Sequence, residues 1–243
     1  RRRQMHRLRN LRRRLPERGY RFGVITEYPK EKHTLATGCA FFIHSKKPDN
    51  KMDDLEKMKA GLWLHAICPQ IGDALRRTEE LVFRLNQLPP SQREERETII
   101  RQLFGHVGES VCLHSPFHCD FGEQISVGDH FTANYNLTIL DEAPVTIGDY
   151  VFIGPNVGIY TVNHALLPDQ RNAGIMRSLP VTIGNNVWIG GHTVIMQGVT
   201  IGDNAVIGAG SVVTRDIPAG VIAVGSPCRV LREITEADRV TPV

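Results

Sequence analysis

Ten histidines and five cysteines are the side chains in this 243-residue chain best suited to move a proton or to form a covalent intermediate. The cysteines, at 39, 68, 112, 119 and 228, are odd in number, scattered, and never spaced Cys-x-x-Cys. They read as free thiols in a reducing compartment, not as a disulfide frame or a zinc site. Cys112, Cys119 and Cys228 have no histidine in strand register, so covalent thiol chemistry lacks support. His114 and His118 are four apart, which does not put them on one face of a strand-and-corner segment. No glycine-rich phosphate loop precedes a helix, and there is no serine elbow. His164 is different, because it stands at the root of a long interruption in an otherwise regular repeat. An imidazole ordinarily titrates near pH 6.5 and can take a proton from a hydroxyl, which makes His164 the candidate general base. The competing reading is a surface histidine without a role.

The repeat must position that histidine. Residues 181–218 fall into sixes, with a large aliphatic residue at 183, 189, 195, 201, 207 and 213 and a smaller apolar or hydroxyl residue two before it. Residues two apart share one face of a strand, so each six is a short strand with two inward side chains followed by a corner. Gly184, Gly190, Gly202 and Gly208 follow the aliphatic residue, where a corner calls for unusual backbone angles. Three sixes make one triangular turn of about 18 residues, the mark of a hexapeptide β-helix. The same rule extends backwards through Ile125/Val127, Phe131/Ala133, Leu137/Ile139, Val145/Ile147, Val151/Ile153 and Val157/Ile159, giving twelve rungs, or four turns. Val111–Phe121 reads as an irregular opening coil. From Ile159 to Ile183 the chain spends 24 residues where six would do, so 18 are looped out. Packing gives no reason for such a loop, and long ordered loops on rigid scaffolds usually serve a site. The bore is filled with aliphatic chains, so a ligand must lie outside it. Flat sides favour copies packed flank to flank, most simply as a threefold assembly with grooves between them.

Charge divides the chain. Residues 1–51 hold fifteen Lys/Arg against four Asp/Glu, although the whole chain carries only +3. Eight arginines lie within residues 1–14, without aromatic or acidic residues among them. A nucleic-acid arm and an organelle transit peptide are the sharper readings; with no aromatic interleaving, a disordered basic leader is preferred. No apolar run approaches 18 residues and no secretory signal pattern occurs, so the expectation is a cytoplasmic protein without a membrane span. Residues 52–107 read as a helical cap: one helix begins at Asp53, a second runs from Ile71 to Asn86, and a third opens on a Ser91/Glu94 capping box and ends near Phe104. The β-helix then occupies 108–232 and a tail 233–243.

From Met52 to Arg232 the chain resembles the hexapeptide-repeat acetyltransferases, closest to the maltose/galactoside O-acetyltransferase branch. The strings that carry the resemblance are Glu56-Lys-Met-Lys-Ala-Gly61, Phe131-Thr-Ala-Asn134-Tyr-Asn-Leu-Thr-Ile-Leu-Asp141, Tyr160-Thr-Val-Asn-His164, Pro180-Val-Thr-Ile-Gly-Asn-Asn-Val-Trp188-Ile-Gly, Gly208-Ala-Gly-Ser-Val-Val-Thr-Arg-Asp-Ile-Pro218 and Gly225-Ser-Pro-Cys-Arg-Val230. The spacings of 30 from Asn134 to His164 and 24 from His164 to Trp188 agree with the family. The resemblance implies a left-handed parallel β-helix that transfers an acetyl group from acetyl-CoA to a hydroxyl by direct attack, in a ternary complex within a homotrimer. It makes His164 the base and Asn134 the donor to the oxyanion. It places Gly191, Ala209, Thr214, Arg215, Arg229 and Arg232 against CoA, the small residues admitting the pantetheine arm and the arginines meeting phosphates. Trp188 matches a groove-lining residue and reads equally as packing at a trimer face.

Asp120, Glu142 and Met176 fall at acceptor-pocket positions. Relatives hold a sugar with an aspartate and an arginine from the first helical segment; here those places hold Ala66 and Leu75, with Arg76 adjacent. Ile175 stands where relatives often carry an acid. A zinc enzyme of this fold would need clustered histidines at the loop root, one near position 169, which is Asp169; no metal is expected. The reading is an acetyl-CoA-dependent O-acetyltransferase acting on a sugar-like hydroxyl, with acetyl-CoA and that small acceptor as partners and no role for nucleic acid. The rivals are the same chemistry on an antibiotic, an amino-acid hydroxyl or an amine, and a catalytically silent assembly subunit.

Overall fold

The computed structural model describes residues 52–66 and 69–242, so the basic segment 1–51, Cys39 and Cys68 lie outside the described residues. Three parallel sheets form the three faces of a prism. The first contains His106–Val107, Ile125–Val127, Val145–Ile147, Val181–Ile183 and Thr200–Ile201. The second contains Val111–Leu113, Phe131–Ala133, Phe152–Ile153, Trp188–Ile189, Val206–Ile207 and Val221–Val224, with Arg229–Glu233 added antiparallel at its edge. The third contains Phe117–Cys119, Leu137–Leu140, Gly158–Tyr160, Val194–Ile195 and Val212–Val213.

The six-residue period works because equivalent residues pair in register from coil to coil. Val127, Ile147, Ile183 and Ile201 stack on the first face, and Ala133, Ile153, Ile189, Ile207 and Ala223 on the second. These side chains are buried in one continuous core. Burying one of the larger ones contributes about 2 kcal/mol, and the ladder repeats that gain at every rung.

Three expectations about the β-helix change. Five complete coils and the start of a sixth are present, not four, because His106–Val107, Val111–Leu113 and Phe117–Cys119 pair as regularly as later strands. Backbone hydrogen bonds make this first coil, while Phe117 and Cys119 stand where the next coil carries Leu137 and Ile139, which hid the period. The corner conformation also falls elsewhere. Left-handed backbone occurs outside glycine at His130, Asn136, Tyr150, Asn156, Asn186, His192 and Asn204, with φ between 55° and 62°, each two residues beyond the recurring aliphatic–Gly step or, for Asn136, its Ala133–Asn134 counterpart. Asn tolerates that region through local hydrogen bonds, and here Asn136 Nδ2 donates to Asn156 Oδ1 (3.0 Å) and Asn186 Nδ2 to Asn204 Oδ1 (3.1 Å). The glycines serve close approach instead: a Cβ on Gly154 or Gly190 would lie 2.5 Å from the backbone nitrogen of Gly191 or Ala209 in the next coil.

The third change concerns the insertion. Residues 160–180 are not a bare loop. Val162–His164 and Ile175–Ser178 pair as an antiparallel hairpin, tipped by the short helix Pro168–Asn172, and Leu64–His65 joins it as a third strand. Met176 is buried with Met58, Leu64, Ile71 and Phe121, so the insertion does have a packing role: it fastens the cap to the coils.

The cap has three helices, α1 (Asp54–Lys59), α2 (Pro69–Gln87) and α3 (Arg93–Leu103). A capping box forms at Asp53/Glu56 of α1. The one expected at Ser91/Glu94 does not form: α3 starts after Gln92, which makes no side-chain cap bond. Leu85, Ile99, Ile100, Leu103 and Phe104 continue the β-helix core, with the Phe104 ring edge-on to Phe117 at 5.5 Å. The Arg96 guanidinium donates to the carbonyls of Leu85 (3.0 Å) and Leu113 (3.1 Å) and to Ser115 Oγ (2.9 Å). Together they close the open end of the solenoid, which would otherwise expose apolar rungs and unpaired strand edges.

Where hairpin, cap and coils meet lies a belt of fully buried polar side chains: Asp141, Thr161 and Ser178. Thr161 Oγ1 donates to Leu140 O (2.7 Å) and accepts from Ala143 N (3.0 Å). Ser178 Oγ lies within reach of both Met58 O (3.3 Å) and Glu142 O (3.1 Å). Asp141 Oδ1 accepts from the backbone N–H of Asp120 (3.0 Å) and Phe121 (2.9 Å), while Oδ2 has no partner among the described residues. Burial pushes the Asp141 carboxyl up to about 6, against the pull of those two N–H donors.

Ile189→Ala should lower unfolding free energy by about 2–5 kcal/mol in denaturant titrations, since the rung is fully buried and its neighbours are locked in register. Because the folded pKa of Asp141 is raised above its unfolded value, its contribution is complete below about pH 4 and is lost as pH climbs through about 6, on the order of 3 kcal/mol. Asp141→Asn stays neutral throughout. The variant should therefore gain on wild type in denaturation midpoint between pH 4.5 and 7.5; a difference that does not move with pH would refute the assignment.

Candidate active site

His164 ends the first strand of the hairpin, its backbone paired with Met176 and its ring exposed. Asn134 occupies the corner after Phe131–Ala133, half-buried. Its backbone N–H donates to Ile153 O (2.9 Å), and its Oδ1 accepts from Tyr135 N (2.8 Å). The first holds the backbone and the second the side-chain amide, whose Nδ2 is left without a partner among the described residues.

Within one chain the two do not meet. Asn134 lies where the chain enters Leu137–Leu140, and His164 lies beyond the exit of Gly158–Tyr160, the neighbouring parallel strand of the same face. Parallel strands enter at one edge and leave at the other, so a whole face separates the residues, about 13 Å for four residues at roughly 3.3 Å each.

The other anticipated contacts are divided in the same way. Gly191 and Ala209 lie on the Asn134 corner, where Asn134, Gly154, Gly190 and Gly208 stack through backbone bonds to the next coil. The result is a smooth wall of small residues running away from the Asn134 amide. Thr214 and Arg215 lie at the opposite edge of the third face, beyond Val212–Val213. Arg229 and Arg232 are on the antiparallel strand Arg229–Glu233. Arg232 is held in a two-bond pair with Asp238 (2.7 Å each), and Arg229 Nη1 donates to Cys228 O (2.7 Å). Trp188 points outward from the second face between Phe152 and Val206 and is 57 % exposed, with Phe152 at 53 %.

On the other side, Asp120 and Glu142 bring their carboxyl groups into hydrogen-bonding contact. Burial raises the pKa of both, and two carboxyls this close cannot both ionise, so one retains a proton. Asp120 also forms part of a cavity of about 590 Å³ between α2 and the first coil, walled by Leu75, Glu79, Val82, Phe83, Asn86, Pro116, His118 and Cys119. Met176 is buried in the cap cluster, directly across the hairpin from His164. Arg76 is exposed and paired with Asp73, and it does not line the cavity; Leu75 does.

Two features escaped the sequence. Glu79 faces Asp120 from α2 and pushes its pKa up further, which only the docking of the helix could reveal. Cys112 does have a histidine beside it: its Sγ lies 3.8 Å from His114 Nε2, and the His114 ring rests on Tyr135 at 4.9 Å. The two-residue spacing on a strand edge was the available signal. Cys119 is the opposite case, a thiol that burial and the charges of Asp141 and Asp120 hold far above its usual range. Among the described residues no group of three or more His, Cys, Asp or Glu is arranged to hold a metal ion, and no helix is long and apolar enough to cross a membrane.

Comparison with known proteins follows this geometry. The family described as bacterial transferase hexapeptide (six repeats) matches residues 180–215, and the maltose acetyltransferase hexapeptide capping motif matches residues 57–108. Galactoside O-acetyltransferase of Escherichia coli K12 is 47 % identical over 184 residues, covering 76 % of this chain and 91 % of that protein. A maltose O-acetyltransferase structure from Clostridium difficile 630 aligns with a TM-score of 0.75 at 45 % identity, over 77 % of this chain and 100 % of the other. A galactoside acetyltransferase structure in complex with coenzyme A aligns with the same TM-score of 0.75 at 46 % identity, over 77 % and 94 %. The shared architecture is the left-handed parallel β-helix. With two thirds of its length and more aligned to these relatives at such identity, the chain belongs to the hexapeptide-repeat acetyltransferases, in the maltose/galactoside O-acetyltransferase branch, and is an acyltransferase.

Proposed function

We propose that the protein moves an acetyl group from acetyl-CoA to a hydroxyl of a sugar or sugar-like acceptor, with His164 as general base. The acceptor hydroxyl gives its proton to the His164 imidazole as its oxygen bonds to the thioester carbonyl carbon. The carbonyl oxygen takes up negative charge, and the Asn134 amide donates to it. Collapse of this tetrahedral species breaks the C–S bond, and the imidazolium returns the proton to the CoA thiolate. A fixed donor at the oxyanion is worth about 3 kcal/mol, roughly two orders of magnitude in rate. The wall of small residues along the Asn134 corner fits a pantetheine arm that brings its thioester to that amide, and the arginines beyond it suit phosphates. Support for CoA comes from the related galactoside acetyltransferase, whose structure holds it. Reduced thiols and a supply of acetyl-CoA suit the cytoplasm.

The observation that carries this reading is the separation of His164 and Asn134 by one full face. Neither suffices alone, so the working site joins His164 of one copy to Asn134 of the next, in a closed ring that three flat-sided prisms form most simply. The exposed Trp188 and Phe152 stripe on the second face supports such packing. A non-sugar acceptor is the second reading, favoured by Ala66 and Leu75 at places where relatives hold a sugar with charged groups.

His164→Ala should lower kcat by roughly two to four orders of magnitude while calorimetry still detects CoA binding. Rates near wild type would remove His164 from the mechanism, and loss of CoA binding in the wild-type protein would favour a silent assembly subunit. Mixing His164→Ala with Asn134→Ala protein under subunit exchange should restore up to about a quarter of wild-type activity, since that share of interfaces pairs the two intact residues. No recovery, with exchange verified by mass spectrometry, would place both residues within one copy.

A further inference from the structure

Four carboxyl groups converge where α2 lies against the coils: Glu79, Asp120, Asp141 and Glu142. No lysine or arginine pairs with any of them among the described residues, and every ion pair found lies elsewhere. Asp120 and Glu142 share a proton, which relieves one charge. Asp141, fully buried, pushes up the pKa of Cys119 and Glu142, and its Oδ2 has no partner among the described residues. Glu79 adds a further charge from the helix on the other side of the cavity. An acid cluster on its own would say nothing about a ligand. Here Glu79 and Asp120 line a cavity of about 590 Å³, and Asp141, which accepts from the Asp120 N–H at 3.0 Å, keeps a buried Oδ2 without a partner among the described residues. The cavity wall formed by Leu75, Val82 and Phe83 is apolar.

The geometry points to an acceptor that carries a protonated amine as well as a hydroxyl, an amino sugar or an amino alcohol of similar size, with the ammonium received by Glu79 and Asp120. This rests on the acetyl-transfer reading above and narrows its acceptor. A neutral hydroxyl could accept from the proton shared by Asp120 and Glu142, but it gains nothing from Glu79 on the facing helix. An anion meets only repulsion. An ammonium has three donors to distribute among these oxygens, and it replaces the shared proton, which passes to solvent. The carbon skeleton then lies on the Leu75 and Phe83 wall, and the hydroxyl remains free to face an imidazole. His118 is the one other titratable group on the cavity wall besides Glu79, Asp120 and Cys119, and it lies on the coil side.

The test uses the whole protein with acetyl-CoA at pH 7, thiol release as readout, and glucosamine, glucose and N-acetylglucosamine as acceptors. Glucosamine should show kcat/KM at least about tenfold above both neutral sugars, and the product should carry its acetyl group on oxygen. Glu79→Gln, checked for fold by circular dichroism, should shrink that advantage to within about threefold, mainly through a higher KM for glucosamine. Equal or poorer use of glucosamine, an advantage that Glu79→Gln leaves intact, or acetylation on nitrogen would overturn the assignment. Turnover of glucose without preference overturns this inference alone. No thiol release with any of the three, together with no CoA binding, overturns acetyl transfer itself.

Discussion

The bore of the prism is closed by aliphatic side chains stacked at a strict six-residue period, and every other property of the molecule follows from that closure. Ile139, Ile159 and Ile195 on one face, like Ile147, Ile183 and Ile201 on another, leave no internal space for a ligand. Chemistry is therefore confined to the outside, at corners, insertions and seams. The same closure makes the scaffold rigid, because a rung cannot shift without breaking register with both neighbours. A side chain at a corner, such as Asn134, inherits that rigidity. Its backbone is tied to Ile153 and its side-chain Oδ1 to the Tyr135 N–H, so the amide is set before any substrate arrives, which gives a transition-state donor its value.

Such a solenoid has two weak points, its open end and any break in its period, and here one device treats both. The helices α2 and α3 plug the first coil with Leu85, Ile99 and Leu103. The hairpin inserted between the third and fourth coils reaches across to Leu64–His65 and buries Met176 with Met58 and Phe121. The histidine thus stands on a segment tied both to the coils and to the cap. The polar belt of Thr161 and Ser178 supplies the bonds that the departing backbone would otherwise lack.

Around that junction the electrostatics differ sharply from those at the Asn134 corner. The corner is neutral, small and hydrogen-bonded. The junction is acidic and desolvated, with carboxyls that burial and mutual repulsion keep partly protonated. A neutral wall suits a long flexible ligand whose thioester needs a single donor. An acidic recess suits the group that decides which acceptor enters. Leu75 and Ala66 contribute by what they lack: neither offers the charge that would neutralise this recess.

The period, the coil register from Ile125 onward, the helical cap and the 18-residue interruption were all legible in the sequence. Each follows from local rules: side chains alternate on a strand, and the bore accepts only apolar ones. His164 stood out because it sits where that rule breaks. The first coil was hidden because Phe117 and Cys119 stand where the next coil carries Leu137 and Ile139, and backbone pairing does not depend on side-chain identity. The corner angles were misplaced because the glycines there answer the close approach of the next coil and not their own φ. The Ser91/Glu94 box failed because α3 begins after Gln92, which puts Ser91 one residue before the N-cap position. Only the tertiary structure decided that the insertion is a hairpin with a packing role, that Glu79 faces Asp120, that Cys112 touches His114, and that His164 and Asn134 lie a full face apart. Each of those facts joins residues far apart in the chain or depends on which way a side chain turns, and a one-dimensional period carries neither.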